Sequence, residues 1–273
     1  MYEEYWQLER RPFEPNAKRE FFYPAETHQG ALLKLRYAVE NRRGAAVLAG
    51  PPGTGKTLLI HTLREQLGDR YRPFIHLVFP QMEGRDLLVY LAETLGAPPD
   101  DPPRYTVEES IRRIELVLTE NQVQERHAVI AVDEAHLLWE SGLLETLRLI
   151  LNLGGESEPP FTLLLAGQPR ILSCLERIPD LDERMAVKTL IRALSADETA
   201  GYISHRLKAA GAGRDIFDAS ALDELYVLSQ GVPRAINRLC DLALLIGYAQ
   251  GQEVLRGEDI AAVSEELVTV APE

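Results

Sequence analysis

Gly50-Pro51-Pro52-Gly53-Thr54-Gly55-Lys56-Thr57 is the stretch that decides how this chain is read. It satisfies the spacing G-x-x-x-x-G-K-[S/T]. Before it lies an apolar run, AAVLA at 45–49, and after it a segment at 56–67 with apolar residues at helical spacing. The glycines let the backbone curl until successive amides face one anion, and a helix opening at Lys56 adds the positive end of its dipole. Such a loop, continued by Leu58, would cradle nucleotide phosphates: Lys56 would reach the β- and γ-phosphates and the Thr57 hydroxyl would ligate Mg²⁺. The competing reading, a Gly/Pro-rich turn that matches by chance, is disfavoured by the strand before it and the helix after it.

Outward from the loop, short apolar runs recur at 74–79, 128–132, 161–166 and 186–191, and each reads as a buried strand. Between them, 86–95, 107–123 and 143–153 carry apolar residues at helical spacing. This alternation predicts an α/β fold, a mostly parallel sheet covered by helices on both faces. After Leu194 the strand signal stops. Ser195 with Glu198 forms a capping box that opens a helix at 196–210, and further helices are expected at 219–229, 233–250 and 257–266. The expected organisation is an N-terminal segment with a first helix (1–43), a nucleotide-binding α/β domain (44–194) and an all-helical domain (195–273). The Pro- and Asp-rich run at 97–103 reads as an exposed loop without assigned chemistry.

The run AVIAV at 128–132 ends in Asp133 and Glu134. A carboxylate at the end of a buried strand is costly without a cation, which Mg²⁺ supplies, so Asp133 is placed to hold the metal through water. Glu134 is placed to polarise an attacking water as general base. Two acids capping the next helix is the plainer alternative, and the phosphate loop weighs against it. Asp133-Glu134-Ala135-His136 also spells a helicase box, but no second motor domain accompanies it. His136 reads as a residue at a helix start that packs or relays a signal.

Composition sets the outer bounds. The 273 residues are 45% apolar and 26% charged, with 42 acids against 29 bases and a net charge of −13. From Ser195 onward 13 acids face 6 bases. That balance weighs against nucleic acid as the main partner. Cys174 and Cys240 stand far apart, without a C-x-x-C spacing, and read as core residues of a reducing compartment. No apolar stretch reaches the length of a membrane span and the N-terminus lacks a signal pattern, so a cytoplasmic location is expected.

With these residues placed, the chain resembles the AAA+ ATPases, and more narrowly the ExeA/GspA-type secretion ATPases, over nearly its whole length. The narrower likeness rests on Met1-Tyr2 through Leu8, Arg11-Pro12-Phe13, Phe21-Phe22-Tyr23-Pro24 with His28, and Ala166-Gly167-Gln168-Pro169. It rests also on Leu194-Ser195-Ala196-Asp197-Glu198-Thr199, Tyr202-Ile203, Arg206-Leu207, and the run from Gly231-Val232-Pro233-Arg234 to Leu239-Cys240-Asp241. The resemblance implies a three-layer P-loop NTPase sheet ordered 5-1-4-3-2, an AAA+ helical lid, and hydrolysis of ATP with Mg²⁺. It implies Gln168 as a sensor of the γ-phosphate or lytic water, and Arg234 as a second sensor on the lid, against a plain helix-surface arginine. Arg184 resembles a finger acting on a neighbouring subunit's nucleotide; Arg177 and Lys188 compete for that role, and a surface salt bridge is its alternative. Tyr23 and Pro24 would line the adenine pocket or simply pack.

The implied assembly is a homo-oligomeric ring, a hexamer among its sizes, acting on a protein partner in secretion or envelope assembly and reaching the inner membrane only through a partner. Pro51 and Pro52 depart from the acidic residue and valine common in that group. Members of the group often continue into a membrane helix and a peptidoglycan-binding domain, neither of which is read in 1–273, so cell-wall remodelling is expected only through a partner that supplies those parts. A DNA-associated regulator resembling the TniB/TnsC transposition ATPases is the alternative function, and a nucleotide-gated scaffold is the blandest.

Overall fold

Five strands form one parallel sheet: β1 (Ala45–Ala49), β2 (Phe74–Leu77), β3 (Ala128–Val132), β4 (Phe161–Gly167) and β5 (Met185–Leu190), in the order β2-β3-β4-β1-β5. This is the expected order seen from the other edge. The computed structural model describes residues 1–14, 19–78, 80–97, 106–153 and 159–269, so Phe79 and most of the expected loop at 97–103 lie outside the described residues. Compactness divides the chain into two units. One comprises Thr27–Pro51 and Leu59–Ile191; the other comprises Met1–Glu26, Pro52–Leu58 and Arg192–Glu273.

In the first unit, β1, β3 and β4 are buried at every residue, as interior parallel strands covered on both faces must be. Alternate residues such as Val47, Ile130 and Leu163 join one core with α3 (Gly84–Thr94), α4 (Val107–Val123), α5 (Leu143–Ile150) and two short helices, α6 (Arg170–Leu175) and α7 (Pro179–Asp182). This leaves α1 (Glu26–Glu40) and α2 (Lys56–Gln66), with buried Leu35, Val39, Leu59 and Leu63, for the opposite face.

The outer strands correct the sequence reading. β5 exposes Ala186, Lys188 and Leu190, and β2 is half-buried at Phe74 and His76, because each pairs on one side only. β2 stops at Leu77, which sits opposite Val132 where the partner strand ends. α5 ends at Ile150 rather than Leu153, as the Asn152 and Leu153 amides bond back three residues and tighten the last turn. α6 and α7 are too short to show a helical period in sequence. Cys174 is half-buried at the margin of this core, whereas Cys240 is fully buried; both are free thiols.

The second unit has its own core. α8 (Ala196–Ala209), α9 (Ala219–Ser229), α10 (Pro233–Gln250) and α11 (Gly257–Thr269) pack with residues from the chain's first turn, Tyr2, Trp6, Leu8 and Phe13. The Ser195–Glu198 capping box opens α8, with both reciprocal hydrogen bonds made. Trp6 is wholly buried and donates its indole N–H to the Leu244 carbonyl at 2.9 Å. Arg206 is a buried cation satisfied by neutral acceptors: it donates to the carbonyls of Pro12 and Glu14 and to the Tyr202 hydroxyl, and lies 4.9 Å from the Phe21 ring centre. A buried charge requires such partners, and here they fasten the N-terminal segment to α8.

Beneath the sheet, His127 leads into β3. Thr162 donates its hydroxyl to the Arg43 carbonyl at 2.7 Å, so it accepts from His127 Nε2 at 2.9 Å, tying β3 and β4 to the turn before β1. Burial, and secondarily Arg42, lower the His127 pKa from 6.5 to about 4. The unfolded chain therefore binds a proton here that the folded one refuses. Stability should fall from this residue by about 1.4 kcal/mol per pH unit as pH drops from 6.5 towards about 4. Urea unfolding across that window should show the slope, and His127→Gln should flatten it.

Candidate functional site

β1 hands the chain to the phosphate loop through Gly50, whose N–H donates to the Gly167 carbonyl at the end of β4. The register pairs Ala49 with Gly167 and Val132 with Leu165, so β1, β4 and β3 terminate along one edge of the sheet. Pro52 through Leu58 lie in the second unit, where Thr54 and Lys56 are buried. Gly53 has φ +79°, and a Cβ there would lie 3.0 Å from both Arg234 Cβ and Val232 Cγ1. The Gly53 carbonyl accepts the Arg234 N–H at 3.2 Å. That amide is one of the donors left without a partner inside the first turn of α10, so the start of the helix is hooked onto the loop. Pro52, Gly53, Val232, Arg234 and Arg238 line a recess of about 460 Å³. Arg238 was missed in sequence, although its spacing of four from Arg234 puts both on one helix face.

At the end of β3 two adjacent acids occupy opposite environments. Asp133 is buried, its Oδ1 accepting the Glu134 N–H at 2.9 Å and its Oδ2 lying 3.8 Å from His76 Nε2. Glu134 takes a left-handed backbone, φ 49°, which costs a non-glycine residue on the order of 1 kcal/mol and leaves its side chain 47% exposed. The turn thus keeps one carboxylate fixed and swings the other outward. Glu134 makes no side-chain cap to the following helical turn, Ala135–Trp139, so the capping alternative fails for it. His136 is buried; its Nδ1 accepts the Gln168 N–H at 3.2 Å and lies 3.4 Å from Glu134 Oε2. His76, on β2, had no sequence signal, since only strand pairing sets it beside Asp133.

The remaining candidates have other contacts. Arg184 is exposed and binds the Leu151 carbonyl and the Asn152 side chain, closing the end of α5. Arg177 lies 5.4 Å from the Trp139 ring centre, and Lys188 pairs with Asp182. Tyr23 packs on α8 against Tyr202 and His205, close over Gly201, and is not among the residues lining the loop recess. Thr57 opens α2 beside Lys56. The Thr57 hydroxyl and the buried Asp133 carboxylate are each hard oxygen donors of the kind Mg²⁺ takes.

A family model described as AAA domain matches residues 39–175. General secretion pathway protein A of Aeromonas hydrophila is 31% identical over 276 residues, covering all of this chain and 50% of that protein. The chain thus spans about half the length of this curated relative. The Aeropyrum pernix ORC2 protein in ADPNP-ADP complexes shares the fold with TM-score 0.69 and 16% identity, covering 94% of this chain and 72% of the other. The Aeropyrum pernix ORC1 protein in complex with DNA gives 0.68 and 17%, covering 94% and 68%. At such identities the likeness is one of fold, and nothing in it supports the expectation that nucleic acid is an unlikely partner. Among the described residues no helix is long and apolar enough to cross a membrane.

Gly53→Ala should weaken nucleotide binding, through strain at this φ and crowding against Arg234 and Val232. A side chain at this φ costs roughly 1–2 kcal/mol, or about fivefold to thirtyfold in the dissociation constant of a fluorescent ATP analogue. An affinity unchanged within twofold would show that the loop relaxes freely.

Proposed function

The chain belongs to the AAA-domain family and is an ATP-hydrolysing P-loop enzyme, and we propose that it uses ATP with Mg²⁺ to drive conformational change in a protein partner of a secretion or envelope system. The observation that carries the chemistry is the pair at the end of β3, a buried Asp133 followed by an outward-turned Glu134, on the sheet edge where β1 gives way to the phosphate loop. In this reading 44–194 is the nucleotide-binding domain and 195–273 the lid. The loop amides and Lys56 would hold the phosphates, and Thr57 and Asp133 would hold Mg²⁺, whose charge would offset that of the phosphates. Glu134 takes a proton from the water that attacks the γ-phosphorus; the terminal P–O bond breaks, and ADP and phosphate leave. Gln168 senses the γ-phosphate, and Arg234, joined by Arg238, reports it to the lid.

Arg184 acts on a neighbouring copy's nucleotide in a ring, which requires it to release the end of α5. Resemblance to General secretion pathway protein A supports the secretion setting, and a place at the inner membrane held through a partner is part of the same proposal. Lys56→Ala should abolish nucleotide binding. Glu134→Gln should keep binding and lower turnover by at least about a hundredfold. Arg184→Ala should lower turnover and remove its rise with protein concentration; turnover independent of concentration in the unaltered protein would reject the finger.

One observation favours a second reading, a DNA-associated regulator. Arg42, Arg70, Arg72 and Arg126, with only Asp69 and Glu125 as acids, line a recess of about 820 Å³ at the opposite end of the sheet. This local positive surface is hidden in the net charge of −13. The reading requires ATP-dependent, salt-sensitive binding to duplex DNA that Arg70→Glu with Arg126→Glu removes; no mobility shift at low salt with an ATP analogue would dismiss it.

A further inference from the structure

We propose that His136 is the positioning residue that couples the Glu134 carboxylate to the start of the phosphate loop, through the single peptide group joining Gly167 and Gln168. The proposal rests on the reading of Glu134 as the base. Its ground is a chain of direct contacts. Gly50, the first residue of the loop, donates its N–H to the Gly167 carbonyl at 3.1 Å. The N–H on the other side of that same peptide, from Gln168, is accepted by His136 Nδ1 at 3.2 Å. Nδ1 in turn lies 3.4 Å from Glu134 Oε2. A peptide group is planar and stiff. Displacing Gly50 therefore tilts the plane, and the tilt is felt at the imidazole.

The chemistry of the ring gives the coupling a direction. An Nδ1 that accepts the Gln168 N–H presents a lone pair, so it cannot donate to Glu134 at the same time. Two acceptors facing each other repel, and the Glu134 side chain is held outward, where water reaches it. Were the Gln168 N–H withdrawn, a proton on Nδ1 would bind Glu134 and take the base out of action. The imidazole nitrogen thus serves either the strand end or the base.

Packing around the ring is built for this contact. A Cβ on Gly167 would lie 3.1 Å from His136 N and 3.2 Å from Nδ1, so only glycine at the end of β4 lets the imidazole approach the peptide without displacement. The side chain of His136 is 2% exposed, which fixes its position against both neighbours. This takes up the signal relay that the sequence left open beside plain packing for His136.

The test separates an acceptor at the Nδ1 position from a merely buried ring. His136→Phe keeps the bulk and loses the acceptor; His136→Asn loses the ring but keeps an oxygen on the same γ-carbon. Steady-state ATP hydrolysis should show kcat lowered at least about tenfold in His136→Phe with KM for ATP within about threefold, and restored to within about threefold in His136→Asn. Amide deuterium exchange at Gln168 should quicken in the Phe variant and not in the Asn variant, a readout independent of turnover. A Phe variant with wild-type kcat, an Asn variant no better than the Phe variant, or unchanged exchange at Gln168 would overturn the proposal. Glu134→Gln in the same assay keeps the two ideas apart, since turnover surviving that change would reject Glu134 as the base rather than the coupling.

Discussion

A strand buried on both faces can present polar groups only where it ends. β1, β3 and β4 have no exposed residue between them, so the sheet interior is closed to chemistry and every reactive group it carries is pushed to the strand termini. Parallel pairing then does the rest. Because all strands run the same way and their register is nearly level, Ala49, Val132 and Gly167 finish along a common edge. The phosphate loop, the two acids and Gln168 each follow one of these endings directly.

That constraint explains why neighbouring residues with the same chemistry can differ so sharply. Asp133 continues the line of β3, its N–H donating to the Leu77 carbonyl, and stays buried. Glu134 must leave the strand, and its left-handed backbone turns the side chain to water. A carboxylate that binds a cation gains from burial, while one that exchanges a proton with water needs access. In the proposed mechanism Asp133 meets the first need and Glu134 the second, and His136 lies 3.4 Å from Glu134 Oε2.

The acidic balance takes a different meaning from the structure. In the proposed reading, phosphate recognition would depend on amides of the loop, on Lys56 and on arginines at the head of α10, none of which needs a positive protein. At the other end of the sheet four arginines share one recess although the chain as a whole carries −13. Net charge is a sum over surfaces that never meet the same ligand, and here it conceals a local sign.

The sequence by itself determined the elements whose signal is local: the loop spacing, the buried central strands, the Ser195 capping box, Pro233 in the first turn of α10, and the acids after β3. It could also order the strands, but only through resemblance to a family, since order is a property of pairing and not of any one run. Tertiary structure decided the rest. Which strands are edges, and so expose Lys188 and Leu190, depends on what lies beside them. His76 comes beside Asp133 only because β2 pairs with β3, and Gln168 meets His136 only because β4 ends next to β3. Those contacts join residues about 30 to 60 positions apart along the chain, where periodicity and spacing carry no information. The cost of leaving a buried polar group unpaired accounts for the His136 contact, whereas His76 Nε2, 3.8 Å from Asp133, makes no hydrogen bond among the described residues.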